Sequence, residues 1–302
     1  MLKEEYDYTT RVLDDLSLQK TFKINSTKIS TANDLWGPER QYLIDVTTSI
    51  PTSQNLITHK KTTEFLGGSS KVMDTYYAYD ANYPFLTEQR IVDNVGENKS
   101  NLFYPFDTEV SSEAHMTDLV AQNRLATPVR QELREDGTLL ATSQANYHDF
   151  GTNMILVESV SNAKGSESLE EGAVIDLRDG EGSILQYHSK SNVNYTIIMG
   201  YDNQYPVAKI ENTTYATVEA LAAFGTGFTI TDELSAAQET ALRGISGAMV
   251  TTYTYKPLVG ITTITDVNGY TITYTYDEFN RLKYVTDAAG EIVSYNNYHY
   301  KE

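Results

Sequence analysis

The chain repeats itself in the stretch Thr251-Thr-Tyr-Thr-Tyr-Lys-Pro-Leu-Val-Gly-Ile-Thr-Thr-Ile-Thr-Asp-Val-Asn-Gly-Tyr-Thr-Ile-Thr-Tyr-Thr-Tyr276. Within and beyond it, Tyr253-Thr-Tyr255 returns as Tyr274-Thr-Tyr276, and Gly269 returns as Gly290, each 21 residues later. Worn copies of this unit occur upstream. The repeat therefore points to a structural or binding architecture and names neither a ligand nor a reaction.

Each unit predicts two strands joined by a turn. The Tyr-Thr-Tyr pattern places two aromatic rings at i and i+2, on one face of a strand, because side chains alternate sides along it. Asp266-Val-Asn-Gly269 and Asp287-Ala-Ala-Gly290 are turn sequences, since Asp suits the first position and Gly accepts a left-handed backbone. A lone hairpin is only marginally stable in water, so such units need neighbours.

Two degraded copies of the unit lie further upstream. Tyr77-Ala-Tyr79 is followed by Asp93 at a stretched spacing, and Asp179-Gly-Glu-Gly182 is followed five residues later by Tyr187. A Tyr-Asp pair at 201–202 continues this second copy. We expect at least four units, two of them sharp and two degraded.

Other segments carry their own signals. Alternating residues predict hairpins across Gly67-Gly68 and across 135–137, while 163–172 is polar and predicts a loop. Strands are also expected at 21–24 and 41–46. Trp36 stands in a turn between them, where it can plug a sheet end or, less expectedly, offer a platform to a ligand.

Two segments change to a helical period. The stretch 112–125 predicts one short helix, with Met116 and Leu119 on its apolar side. The Ala-rich stretch 213–247 predicts a helical hairpin, with apolar stripes that include Val218 and Leu242. We expect this insertion to cover edge strands that would otherwise pair with other chains.

Composition excludes several classes of partner. The 302 residues carry a net charge of −18, spread along the chain, which argues against nucleic acid and anionic lipid. No apolar run approaches the roughly 18 residues of a membrane span. With no cysteine, disulfides and thiolate metal sites are excluded. The first residues show no signal peptide, so a role outside the cell requires export as part of a longer protein.

Catalytic, cofactor-binding and metal-binding residues are not predicted at any position. The five histidines have no metal-ligand spacing, and they are His59, His115, His148, His188 and His299. Each Asp turn offers one carboxylate, fewer oxygens than calcium takes. Gly225-Thr-Gly227 lacks the remaining glycine of a dinucleotide loop, and no Gly-x-Ser-x-Gly elbow occurs.

The segment Tyr276-Asp-Glu-Phe-Asn-Arg-Leu-Lys-Tyr-Val-Thr-Asp-Ala-Ala-Gly290 closely resembles the YD repeat of bacterial RHS-repeat proteins. Gly200-Tyr-Asp-Asn-Gln-Tyr-Pro-Val-Ala-Lys-Ile-Glu-Asn212 looks like the C-terminal region of long secreted members. The resemblance implies a β-ribbon wound into a spiral shell, which in some members encloses a toxin domain. This chain departs from toxin-carrying members, because its Asp266 and Asp287 turns lack the proline of their Asp-Pro-x-Gly self-cleavage motif.

The predicted fold is all-β and mainly antiparallel, a curved or spiral ribbon of YD-type hairpins with a few short helices. Its expected parts are a degenerate repeat region at 1–212, the helical hairpin at 213–247 and two clear repeats at 248–302. The expected function is a non-enzymatic structural module of an RHS-type shell on or outside a bacterial cell. Its partners would be the rest of a longer RHS polypeptide or other shell components. A carbohydrate- or protein-binding surface module is the alternative, and a self-cleaving or toxin-delivery shell component is a minor one.

Overall fold

The computed structural model describes residues 2–13 and 52–298. Within them, the chain forms seventeen strands that belong to one open, mainly antiparallel sheet. The antiparallel ribbon with few helices expected from the sequence is confirmed. The strands expected at 21–24 and 41–46, and the turn around Trp36, lie outside the described residues.

The strands follow one another along the chain, and apart from 104–129 and 212–248 the described connections between them are about six residues or shorter. The first nine are β1 Leu2–Leu13, β2 Thr52–Leu66, β3 Ser69–Tyr79, β4 Leu86–Val92, β5 Glu97–Phe103, β6 Arg130–Glu135, β7 Thr138–Asp149, β8 Ile155–Lys164 and β9 Glu170–Arg178. The remaining eight are β10 Ile184–His188, β11 Asn194–Gly200, β12 Tyr205–Glu211, β13 Met249–Lys256, β14 Gly260–Thr265, β15 Thr271–Tyr276, β16 Leu282–Thr286 and β17 Ile292–Tyr295.

Registered antiparallel pairs join each strand to the next from β1 to β5 and from β7 to β17. Many pairs contain one register shift close to a turn, for instance between Thr254 and Tyr255 and between Thr275 and Tyr276. Such a bulge bends its strand and strengthens its twist. The polar segment 163–172 was expected to be a loop. This prediction is wrong at both ends, because β8 continues through Lys164 and β9 begins at Glu170.

The chain divides into two compact units. One unit contains β1 to β4, most of β5 and the hairpin turn at 134–137, and the other contains residues 102–133 and 138–302 as far as they are described. The sequence-based division at 212 and 247 remains a prediction.

Three α-helices lie in the second unit, α1 Met116–Ala121, α2 Tyr215–Glu219 and α3 Ala236–Arg243. The first lies inside the predicted helical stretch, and the other two lie inside 213–247. Hydroxyls cap α2 and α3: the Thr214 side chain accepts a bond from the Thr217 amide, and Ser235 forms a reciprocal capping box with Gln238. These caps explain why helices as short as five and eight residues begin where they do.

The helices build two hydrophobic cores against the sheet. Val218 of α2 and Leu242 of α3 are fully buried against Ile198, Ile210 and Val250 of β11, β12 and β13. In the second core, the residues around α1 pack on strands β7 and β8, and its buried members are Val110, Met116, Leu119, Val129, Tyr147 and Ile155. The apolar stripes of the helices are thus buried against faces of the sheet, and this burial stabilises the helices.

The expected role of the 213–247 insertion in covering edge strands is wrong. The insertion packs on β13, whose two edges are already paired with β12 and β14. The helices therefore cover a face of the sheet. The physical reason is that Val250 of β13 continues the apolar face formed by Ile198 and Ile210, and burial of this face against the helices removes it from water.

Candidate functional site

The Asp turns share one hydrogen-bond pattern. At Asp266, the Gly269 amide donates to the main-chain carbonyl at 3.0 Å, while Oδ1 accepts from the amides of Asn268 and Tyr270 at 2.9 Å each. Asp287 repeats these bonds one repeat later. The upstream turn at Asp179 has the same set, with distances of 2.8 to 3.1 Å. The turns predicted from sequence are therefore confirmed.

A further turn of this kind was missed by the sequence reasoning. At Asp277 the Asn280 amide donates to the main-chain carbonyl at 2.9 Å, and Oδ1 accepts from the amides of Phe279 and Arg281. Here Asn280 takes the left-handed place of the glycine, with φ of 60°. Asn tolerates that conformation better than most residues, so an Asp-x-x-Asn sequence was the available signal.

The turn carboxylates already accept hydrogen bonds from backbone amides. A bond from the Arg281 side chain to Asp277 Oδ2, 2.7 Å long, lowers the pKa of that carboxyl, and the amides of Arg281 and Phe279 lower it further. Within residues 2–13 and 52–298, no three His, Asp or Glu side chains group closely enough to hold a metal ion. These carboxylates act in turn formation.

In the described residues, tyrosine hydroxyls at four places donate to a backbone carbonyl of an earlier strand, each at 2.9 Å. We call this bond a tyrosine latch. The latches are Tyr79 to Ile57, Tyr255 to Pro206, Tyr276 to Ile261 and Tyr298 to Leu282. The last two acceptors are 21 residues apart, as in the sequence repeat, while their donors are 22 residues apart.

Gly260 makes room for one latch. A Cβ atom at this position would lie 2.4 Å from the hydroxyl of Tyr276 and 3.0 Å from its Cζ, which no side chain tolerates without a shift. The Tyr276 ring therefore lies directly on the backbone of β14. Burial raises the pKa of Tyr276, as expected for a phenol held against the chain.

Three tyrosines form a cluster under the helical insertion. The rings of Tyr205 and Tyr255 stack with centroids 4.8 Å apart, and the Tyr201 ring meets both edge-on. The Tyr201 hydroxyl accepts from the Tyr255 amide at 2.8 Å, next to the bulge of β13. Burial is the main cause that raises the pKa of Tyr255 to about 12. This cluster is structural, because all three of its hydroxyls bond to backbone groups, those of Tyr255, Pro206 and Leu258.

The described histidines pair with carboxylates and do not come together as one site. His188 Nδ1 lies 2.8 Å from Asp176 Oδ1, and His115 Nδ1 lies 2.8 Å from Asp118 Oδ2. His148 is 3.8 Å from Glu158. His59 contacts two carboxylates. His299 lies outside the described residues, as does Trp36.

One face of the sheet holds an open apolar cleft. It has a volume of about 500 Å³ and is lined mainly by Val157, Val160, Ala173, Ile175, Ile184 and Tyr187 of β8, β9 and β10. Glu158 and Asn162 stand at the same cleft. The sequence reasoning missed it, because neither the bulges nor the registers that shape it have a local signal.

The last strand leaves its outer side open. Ile292, Val293 and Tyr295 of β17 are exposed by 60%, 60% and 58%. The tyrosine differs from its repeat equivalent: Tyr274 is half-buried and is paired with Val285 of the following strand, whereas Ile272, the equivalent of Val293, is also exposed. In the described part of the chain, β17 has a registered partner only in β16.

Comparison with known proteins gives one family match. The RHS repeat model matches residues 260–292, which include β14 to β16 and both the Asp266 and Asp277 turns. No curated protein matches the chain.

Several solved structures align with this chain at low identity. A crystal structure of TcdB2-TccC3-Cdc42 aligns with a TM-score of 0.38 and 10% identity, over 80% of this chain and 13% of that one. A Photorhabdus luminescens Tc holotoxin pore aligns with a TM-score of 0.36 and 11% identity, over 80% and 12%. A crystal structure of TcdB2-TccC3 aligns with a TM-score of 0.36 and 12% identity, over 80% of this chain and 13% of that one. The chain thus spans only 12 to 13% of the length of these chains.

The segment that matches the family model is also the segment in which the 21-residue period, the Asp turns and the Tyr276 latch coincide. This chain therefore carries an RHS repeat at residues 260–292, and the resemblance stated from its sequence is confirmed there.

Proposed function

We propose that this chain is a non-enzymatic segment of the wall of an RHS-type β-shell, built to continue into further repeats. The observation that carries the proposal is the exposed apolar side of β17, which among the described residues has a registered partner only in β16. Ile292 and Tyr295 are largely exposed there, whereas the corresponding tyrosine of the previous repeat, Tyr274, is half-buried on a strand paired on both sides. A strand edge with apolar side chains and unpaired backbone groups favours the addition of another strand.

The chemistry of the repeat supports a structural role. The Asp266, Asp277 and Asp287 carboxylates accept bonds from backbone amides, and the latch hydroxyls donate to carbonyls. These groups would otherwise be the candidates for catalysis or for ligand binding.

The proposal is tested by extending the repeat. Residues 296–302 are replaced by one or two copies of residues 275–295, which continues the 21-residue period in register. We expect the amides of β17 to become protected in hydrogen exchange and the free energy of unfolding to rise with each copy, because array stability is a sum over repeats and their interfaces. The control carries copies of equal length in which each tyrosine of the copy is replaced by Ser and each turn aspartate by Ala. Equal protection of β17 in both proteins would contradict the proposal.

Location and partners follow as further parts of the proposal. We propose that the chain reaches the cell surface or the outside as part of a longer RHS polypeptide, with the other repeats or shell components as its partners. No described helix has the length and apolar character needed to cross a membrane. Fractionation of a source strain with an antibody against this chain tests the location.

Self-cleavage is the alternative that can be tested on the purified chain. Asp287 Oδ1 accepts bonds from the amides of Ala289 and Glu291, which holds the carboxylate in the turn. We therefore expect the chain to stay intact on long incubation. A discrete fragment that disappears in Asp287→Asn would replace the structural proposal with an enzymatic one.

A further inference from the structure

Strand β1 is held on β2 by complementary charge. The β1 sequence contains Glu4, Glu5 and Asp7, and the facing part of β2 contains His59-Lys60-Lys61. In the antiparallel register, Asp7 is opposite His59 and Glu5 is opposite Lys61. Lys60 Nζ also reaches Glu4 at 2.7 Å. Cross-strand pairs of opposite charge stabilise a sheet, so this pairing depends on electrostatics.

His59 is the centre of this arrangement. Its Nδ1 lies 2.9 Å from Asp7 Oδ2 of β1, and its Nε2 lies 2.8 Å from Asp74 Oδ1 of β3. A neutral imidazole carries only one N–H, so it can donate to just one of the two carboxylates, whereas the imidazolium donates to both. The two bonds together require the charged ring.

The ring is also fixed from its flat side. His59 stacks on Tyr76 with centroids 4.6 Å apart, and the guanidinium of Arg90 lies 4.4 Å from the Tyr76 ring centroid. Asp7, His59, Tyr76 and Arg90 form one cross-strand row over β1 to β4. The arrangement leaves His59 side-chain exposure at 23%, so protons reach the ring from solvent.

We propose that β1 is a proton-controlled strand, which lies tightly on β2 in mildly acidic surroundings and opens more often in alkaline ones. The bond between Lys60 and Glu4 raises the pKa of Lys60 and lowers that of Glu4, and the bond from Lys3 lowers the pKa of Glu5, so these three groups stay charged around neutral pH. Of the described charged groups on these facing stretches, His59 is the one whose ordinary titration range is close to neutral pH.

The remaining charges around His59 fix the sign of the effect. Asp7 comes from β1, Lys61 from its own strand, Asp74 from β3 and Arg90 from β4 behind Tyr76. The hydrogen bond to Asp7, followed by the bond to Asp74, raises the pKa of His59. A raised pKa in the folded state contributes stability that is complete below the unfolded value of about 6.5 and is lost as pH rises through the folded value.

Hydrogen exchange on the full chain tests the proposal. The protection of β1 amides is compared with that of β13 amides at about pH 5.5 and about pH 8, each corrected for intrinsic exchange. We expect β1 protection relative to β13 to fall at least about threefold at the higher pH, since a tenfold change corresponds to one pKa unit. His59→Gln should remove this dependence, and His188→Gln, whose ring pairs with Asp176 in the other unit, should keep it.

Two further measurements keep the test decisive if His59→Gln loses β1 protection at both pH values. His59→Lys, which is charged at both pH values, should then give protection that does not change between them. Ring titration of His59 by NMR should give a pKa above that of a free imidazole, and Asp7→Asn should lower it. A His59 pKa below about 6.5, or a pH dependence that survives His59→Gln, would overturn the proposal.

Discussion

At the scale of single residues, the repeat shows itself in the hydrogen bonds that tyrosine hydroxyls donate to backbone carbonyls. Tyr276 and Tyr298 donate to carbonyls that are 21 residues apart, and Tyr79 forms the same bond in the other unit, where the sequence repeat is stretched. Three of the four latch tyrosines, Tyr79, Tyr255 and Tyr276, are the last or next-to-last residue of their strands.

We predict that Tyr276→Phe lowers the free energy of unfolding by about 1 kcal/mol, the usual net contribution of one hydrogen bond, with the Ile261 carbonyl left unpaired. Urea denaturation measures the loss. Tyr270→Phe is the matched control, because Tyr270 is 65% exposed. Equal stability of both variants would show that the latch hydroxyl contributes nothing.

Gly260→Ala should break the same latch from its other side. The new methyl group would occupy the place of the Tyr276 hydroxyl, and overpacking of this kind costs about 1–3 kcal/mol. Gly180→Ala is the control, because a Cβ at Gly180 has no neighbour within 4 Å. In combination with Tyr276→Phe the loss should be less than additive, since both changes remove one bond. Additive losses in urea denaturation would refute the shared cause.

Much of this residue geometry could be predicted. The turns at Asp266 and Asp287 could be predicted, because Asp suits the first position of such a turn and Gly suits its last. The turn at Asp277 could not be predicted in this way, because Asn280 replaces the glycine. The latch acceptor Ile261 could not be predicted at all, since it depends on the register of β15 on β14, with Thr273 opposite Thr263, and that register has no local signal in the sequence.

At the scale of elements, the helices matter through the sheet face that they cover. Leu242 of α3 is fully buried among Ile198, Ile210 and Val250. We predict that Leu242→Ala lowers the free energy of unfolding by about 2–5 kcal/mol, through lost burial and the cavity left behind. Leu258→Ala is the control, because Leu258 is 95% exposed. Thermal or urea denaturation compares the two, and a small loss at Leu242 would contradict this packing.

Removal of the whole insertion should have a different result. We predict that replacement of 213–247 by a short Gly-Ser linker gives a protein that expresses but aggregates, because the apolar face of β11 to β13 is then open to solvent. Deletion of 297–302 should be mild. Size-exclusion chromatography separates the outcomes, and a monodisperse monomer after the first deletion would show that the face needs no cover.

Sequence period identified these helices but not their partner surface. Val218 and Leu242 stand on the predicted stripes, and both are buried. The apolar stripes alone do not show whether the helices pack on an edge or on a face of the sheet. That depends on the pairing of β13 with both β12 and β14. Strand pairing also decides the ends of β8 and β9. Their terminal residues are polar, so the sequence of this segment resembles a loop although the strands extend into it.

At the scale of the whole molecule, buried tyrosines link stability to alkaline pH. Burial raises the pKa of Tyr255 to about 12 and raises that of Tyr201, Tyr215 and Tyr276. A phenol with a raised folded pKa contributes stability that is complete below the unfolded value of about 10 and is lost as pH rises through the folded value.

We therefore predict cooperative unfolding between about pH 10 and pH 12, with tyrosinate absorbance and circular dichroism changing together. Tyr255→Phe removes the tyrosine whose pKa is raised to about 12. We therefore expect this variant to lose less of its neutral-pH free energy of unfolding on going to alkaline pH than the parent protein does. Tyr270→Phe serves again as the exposed control. Tyrosinate absorbance that develops fully before the fold is lost would contradict the link.

The direction of the tyrosine latch has a consequence for how the chain is made. In all four latches the hydroxyl donor comes later in the chain than the carbonyl that accepts, by 15 residues at Tyr276, 16 at Tyr298 and 22 at Tyr79. A polypeptide leaves the ribosome N-terminus first, so each acceptor is already present when its tyrosine emerges. Only Tyr255, 49 residues after Pro206, must wait for the helical insertion to be synthesised. Each latch can therefore form during translation, once its tyrosine has left the ribosome, so that an array of such repeats folds through mainly local contacts, the condition under which chains fold fastest.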